Sequence, residues 1–321
     1  MTRDRVVLLT GVAAVAAAFC ILPEAHGQSQ STPASVRVAT MPVTNFTPLT
    51  VARDKGFFAE QRLNVTWTIV PQGAVAIEAV YGGSAEFGGG AILEPMIARG
   101  NGLDIMFVEP TSKIREAPPD NSALVVLKDS SIQSPADLAG KTVSVGLVNS
   151  VNYIHMLEWL QKKGVDAKSV KFLELPFPQM PDALLQKRLD AVWAVEPFFT
   201  FIRKTDKARV LAYPYQENRP GMDITAFVAK ESWLKANPDV GRRFKQAIDK
   251  ATAYLANAPK KERDEWVAKF SGMKPELVAD MYLPQFANEF DLPSLSYNLR
   301  LAVEHKVVNK PFDVNAMIWK P

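Results

Sequence analysis

Beyond residue 36 the apolar positions fall into two alternating patterns. Short runs rich in Val, Ile, Phe or Trp read as strands at 36–40, 64–70, 85–87, 105–108, 122–127, 142–145, 170–175, 191–194, 210–212 and 224–229. Between them, apolar residues recur at helical spacing over 46–61, 74–82, 91–99, 152–163, 179–187 and 197–204. This alternation predicts an α/β protein with mostly parallel sheets flanked by helices. The stretch 36–70 shows the unit: strand, polar loop 41–45, amphipathic helix 46–61, strand 64–70. A strand feeding a helix through such a loop leaves unpaired N–H groups aimed at whatever sits there. The chain repeats the device, which points to a ligand site built from loops and helix starts.

The tail changes character. From 232 to about 309 the pattern reads as helix, with Asn237-Pro238, Ala258-Pro259 and Lys274-Pro275 marking helix starts. Two segments read as crossings between lobes: 122–127 followed by the polar stretch 128–134, and 224–229 after a Pro-, Gly- and Tyr-rich loop. The expected organisation is a first lobe of 36–125 plus 225–321, carrying the helical C-terminal region, and a second lobe of 126–224.

The N-terminus reads as an export signal. Arg3 and Arg5 precede an almost wholly apolar run, 6–22, and small residues end at Gly27. The expectation is a signal peptide over 1–27, a loose tail over 28–35 and a periplasmic product. Two other readings stay open: a retained anchor, for which the run is short, and a lipoprotein through Cys20, which Phe19 disfavours. Cys20 is the only cysteine, so the remaining chain offers no disulfide, thiolate or cysteine metal site. A net charge of +3 without a long basic run argues against nucleic acid as a partner.

Catalytic signatures are missing. No phosphate loop, GxSxG elbow or HExxH motif occurs, and removal of His26 leaves only His155, read as structural, and His305. No catalytic residue, metal or cofactor is expected. Loops after strands carry the candidates instead. Thr44 and Asn45 precede the first helix, together with Phe46. Gln72 precedes the second, and Gly88 and Gly89 allow close backbone approach at a strand end. Asn149 and Ser150 precede the helix carrying Tyr153. Open α/β sheets bind ligands at such strand ends. Further on, Glu196 is either a helix cap or a ligand contact, Trp193 either core or a stacking wall, and Asp223 faces cleft or solvent.

Four segments carry a resemblance: Ala52-Arg53-Asp54-Lys55-Gly56-Phe57-Phe58 with Leu63-Asn64-Val65; Gly83-Ser84-Ala85-Glu86-Phe87-Gly88; Ala136 through Val143; and Asp190-Ala191-Val192 leading to Glu196-Pro197. In order and spacing they resemble the periplasmic substrate-binding proteins of ABC importers for nitrate, sulfonates and taurine, including their pyrimidine-precursor-binding relatives. The resemblance implies a two-lobed type II periplasmic binding fold that closes like a flytrap on a ligand between lobes. It implies contacts at Thr44, Asn45, Phe46, Gly88, Gly89, Asn149, Ser150 and the 193–196 segment. It also implies a non-enzymatic monomer whose partners are a small-molecule solute and membrane permease subunits. The related pyrimidine synthases use a histidine and a cysteine-rich segment, which this chain lacks beyond Cys20. The expected ligand is first a small organic anion, a sulfonate or carboxylate, with Phe46, Trp193 and Phe198 suited to an aromatic carboxylate. A pyrimidine-type thiamine precursor comes second and an inorganic ion such as nitrate last.

Overall fold

The computed structural model describes residues 1–2 and 32–321. The chain divides into Met1–Thr32 and Pro33–Pro321, and the described fold is that of the second unit. The expected signal peptide, its cleavage after Gly27, Cys20 and His26 lie outside the described residues.

Eleven strands are present among the described residues: β1 (Ala34–Thr40), β2 (Leu63–Ile69), β3 (Phe87–Ala91), β4 (Ile105–Lys113), β5 (Ser122–Leu127), β6 (Thr142–Ser144), β7 (Lys171–Phe172), β8 (Ala191–Val195), β9 (Ala208–Ala212), β10 (Asp223–Lys230) and β11 (Gln285–Phe286). Six of them form one sheet in the order β11-β4-β10-β3-β1-β2, and five form a second in the order β7-β6-β8-β5-β9. The expected α/β class with two sheets and a helical C-terminal region is present. The sheets are mixed rather than mostly parallel. β1 runs parallel to β2 and β3, and β6 parallel to β7 and β8. The other pairings, all involving β4, β5 or β10, are antiparallel. The antiparallel pairs gather where the chain changes sheets. It leaves the first sheet at Lys113 and enters the second at Ser122; it leaves the second at Ala212 and returns at Asp223. The division expected at 125/126 falls inside β5, which pairs wholly in the second sheet.

Helices cover both sheets. The early ones are α1 (Pro48–Asp54), α2 (Phe57–Glu60), α3 (Gly73–Tyr81) and α4 (Leu93–Gly100). Beside the second sheet lie α5 (Val151–Lys162), α6 (Met180–Leu185), α7 (Phe198–Lys204) and α8 (Pro214–Asn218). The tail contributes α9 (Glu231–Ala236), α10 (Pro238–Asn257), α11 (Lys260–Ser271), α12 (Pro275–Val278) and α13 (Leu292–Glu304). The helix expected over 46–61 is broken into a 3-10 turn, α1 and α2, because Gly56 takes φ +78° between the last two. No helix among the described residues is long and apolar enough to cross a membrane.

The aromatic core beneath the first sheet fixes its outer helices. Phe87 of β3 stacks on Phe244 of α10 with ring centroids 3.8 Å apart, and Phe227 of β10 meets Phe244 edge-on at 5.5 Å. Phe46 meets Phe227 edge-on at 5.4 Å, so the loop after β1 is pinned to the same cluster. Each such buried ring contributes roughly 1.5–3 kcal/mol of apolar transfer. This core holds the loop ends of the first sheet opposite those of the second.

Candidate functional site

The loop ends of the two sheets face each other across a cavity of about 60 Å³. From the first sheet come Met41, Val43 and Asn45 after β1, Gln72 and Gly73 at the start of α3, Ala91, Glu94 in the first turn of α4, and Ile224 and Thr225 of β10. From the second come Asn121 and Ser122 at the start of β5, Gly146 and Leu147 after β6, Ser150–Asn152 opening α5, Phe177, Val195 and Tyr215. A second cavity of about 260 Å³ adjoins it, sharing Glu94, Leu147 and Ser150 and reaching Asn149.

A buried polar network forms one wall. Asn45 Nδ2 donates to Ser112 Oγ at 2.7 Å, while Asn121 Nδ2 donates to Asn45 Oδ1 at 3.2 Å. Thr225 Oγ1 lies 2.7 Å from both Ser112 Oγ and Thr111 Oγ1. Asn45 thus ties the loop after β1 to the segment by which the chain enters the second sheet. The opposite wall is aromatic. Tyr215 packs against Trp193 at 4.5 Å and edge-on to His155 at 5.0 Å. Burial pulls His155 down to about 4, so it is neutral, and its Nε2–H donates to Asn298 Oδ1 at 2.9 Å.

Three helices begin at the cavity: α3 at Gly73, α4 near Glu94 and α5 at Val151, where Ser150 Oγ caps by accepting from Tyr153 N at 3.3 Å. Their N–H ends bring partial positive charge. Against this, the lining contains no Lys, Arg or His. Its ionisable groups are Tyr215 and Glu94. One Glu94 carboxylate oxygen is enclosed without a hydrogen-bond partner, and burial pushes the group up to about 7. Ser122 Oγ and Asn152 Nδ2 are likewise buried and unpartnered.

A family description, NMT1/THI5 like, matches residues 43–262. The chain belongs to this family. It is 25% identical over 283 residues to a Brachyspira hyodysenteriae protein that bears the name of an ABC transporter periplasmic binding protein, covering 83% of this chain and 80% of the relative. It is 21% identical over 258 residues to the 4-amino-5-hydroxymethyl-2-methylpyrimidine phosphate synthase THI11 of Saccharomyces cerevisiae, covering 74% and 70% of the two chains. Among solved structures, the alkanesulfonate-binding protein SsuA of Xanthomonas axonopodis pv. citri superposes with a TM-score of 0.75 at 20% identity, over 91% of this chain and all of that one. That likeness is one of fold, the type II periplasmic binding fold.

Within this member of the NMT1/THI5-like family, the residues singled out from the sequence separate into two groups. Asn45, Gln72 and Ser150 line the main cavity and Asn149 the adjoining one, Asn149 in a left-handed turn at φ 68°. The others lie outside both linings. Thr44 and Phe46 are buried, Phe46 against Phe227. Gly88 and Gly89 sit inside β3 rather than in a loop. A Cβ on Gly89 would lie 2.6 Å from Thr40 Oγ1 and 2.8 Å from Phe46, so this glycine admits close packing of β3 on its neighbours. Trp193 is fully buried behind Tyr215. Glu196 accepts from Thr200 N at 3.0 Å, Thr200 Oγ1 at 2.9 Å and Tyr282 N at 3.1 Å, a capping arrangement at α7. Asp223 Oδ2 accepts from Asp291 N at 2.7 Å and its own N–H donates to Ser294 Oγ, so it anchors the start of α13 rather than facing the cavity or solvent. Phe198, also weighed as an aromatic flank, is buried outside the lining.

Sequence reasoning missed Glu94, Asn121, Asn152 and Tyr215. Glu94 had a local signal: a carboxylate in the first turn of a helix that follows a Gly-rich strand. Asn121 and Tyr215 flank the two sheet changes and acquire their position only through the tertiary fold.

Proposed function

We propose that this chain is a non-enzymatic solute receptor that works in the periplasm, captures a small molecule between two lobes and presents it to the permease subunits of an ABC importer. The proposed lobes are 33–113 with 223–321, and 122–212, with hinge segments 114–121 and 213–222. One observation carries the reading: the main cavity is lined by residues from both sheets, so a bound solute contacts both and favours their approach. A ligand that binds the closed arrangement more tightly shifts the population toward it, and the permease reads the closed form.

The family contains binding proteins by name and a synthase by name, so turnover is the competing reading. For the solute, an organic anion has the support of the three helix starts. A nitrogen-bearing solute such as a pyrimidine-type precursor has the support of a lining without positive side chains and with a carboxylate. Native mass spectrometry of purified protein after exposure to a metabolite extract tests the receptor reading. A retained solute recovered unchanged, with a rise in melting temperature that grows as RT ln(1 + [L]/Kd), is expected. Conversion of the solute during incubation contradicts it.

A further inference from the structure

We infer that the captured solute carries a positively charged or N–H-donating nitrogen that docks on Glu94. The inference rests on the receptor reading above and names the chemistry of its ligand.

Glu94 stands where the two cavities meet, lining both. Its Oε2 is enclosed and has no partner, although it sits in the first turn of α4. Glu94 is half-buried, and a carboxylate oxygen enclosed without a partner is costly because water no longer reaches it; the backbone N–H of Glu94 offsets only part of that loss. Glu109, Asp120, Asp223 and Asp264 also have one unpartnered oxygen, but each accepts on the other from another residue of the fold, and Glu196 accepts from three donors. Among the described residues Glu94 accepts from no other residue, only from its own backbone N–H in the first turn of α4.

Among the described residues, the neighbouring elements bring it no cation. From α3 the facing ionisable group is Glu78, and from the second sheet's side Tyr215. On α4 itself Arg99 is engaged by Glu231, and on α13 Arg300 is engaged by Glu304. On α8, Glu217 pairs with Lys163. A solute entering the cavity can supply the missing donor. The other unpartnered lining atoms complement this: Asn152 Nδ2 seeks an acceptor, and Ser122 Oγ serves as either. An amidine, amide or amino-heterocycle presents N–H groups beside an acceptor and matches all three. The Tyr215 ring supplies a flat wall that suits a planar cation. A sulfonate or carboxylate placed there meets Glu94 directly and requires it to be protonated.

The test uses the purified chain, wild type and Glu94→Gln, with a pooled library of small amines, amidines, amino-heterocycles, carboxylates and sulfonates read by native mass spectrometry. Affinities of retained compounds are then measured by calorimetry at pH 6 and pH 8. The expected result is retention of nitrogen donors, with about a tenfold or greater loss of affinity in Glu94→Gln. Cations that stay protonated over this range bind wild type more tightly at pH 8 than at pH 6, and the variant shows no such change. A melting temperature at or above wild type shows the variant folded. Retention of carboxylates or sulfonates, tighter at pH 6, overturns the inference and leaves the receptor reading standing. Nitrogen donors bound equally by both proteins overturn the role of Glu94. Retention of nothing from any class overturns the receptor reading and the inference with it.

Discussion

Replacing Glu94 with Gln should stabilise the unliganded protein, and only above the ordinary carboxylate range. Unfolded, a Glu titrates near 4.5; folded, burial lifts Glu94 to about 7. Between these values the unfolded chain has released a proton that the folded chain still holds. Stability therefore falls as pH rises from 4.5 to about 7, and the loss then levels off. The gap of about 2.5 units corresponds to about 3 kcal/mol at 1.36 kcal/mol per unit. Gln keeps the shape and removes the charge, so the variant escapes the loss. In urea unfolding, the stability difference between variant and wild type should grow by about 3 kcal/mol from pH 4 to pH 8. For a chain of this size that is about 6 °C in melting temperature. Other titrating groups cancel in the difference. A difference that stays the same at both pH values, or a variant less stable at pH 8, refutes the reasoning. It would mean that Glu94 is solvated or paired in solution.

Further outcomes follow from the packing. Gly89→Ala places a methyl 2.6 Å from Thr40 Oγ1 and 2.8 Å from Phe46; overpacking should cost about 1–3 kcal/mol, and an unchanged urea midpoint contradicts that crowding. Asn45→Ala removes the partner of Ser112 and Asn121. It should cost about 1–3 kcal/mol of stability as well as weaken solute binding, and full stability in calorimetric melting contradicts the network. Trp193→Ala empties a fully buried site. The expected loss is about 3–5 kcal/mol of folding, whereas a fall in affinity with no change in denaturation would return Trp193 to the binding wall.

The fold was legible because its signals are local. Val36, Val38, Val65, Phe107 and Val192 mark buried strands by residue type, and Ser150 announces the start of α5 through its cap. Strand direction was less legible: the short strands β7 and β11 carry two residues each, and β10 reads identically whether parallel or antiparallel to β3. The site was legible only where a lining residue also punctuates an element, as Asn45, Gln72 and Ser150 do. Glu196 and Asp223 carry charge at element ends, which is what capping and ligand contact both require; only the donors from Tyr282 and Asp291, distant in sequence, distinguish the two. Trp193 and Tyr215 are both aromatic and buried, and only their tertiary placement, Tyr215 in the lining with Trp193 packed at a tilt behind it, distinguishes the two. Gly89 of β3 reflects the closeness of Thr40 and Phe46, and Gly88 that of Ala76 and Val80 on α3.

The central claim is that a nitrogen-bearing solute sits between the two sheets against Glu94. A crystal structure of the protein with its retained solute tests this most directly. The account predicts density enclosed by Asn45, Gln72, Ser150 and Tyr215, with a nitrogen within about 3 Å of a Glu94 carboxylate oxygen. A solute whose anionic oxygens face the starts of α3 and α5 with Glu94 turned away, or one bound outside this cavity, would contradict it.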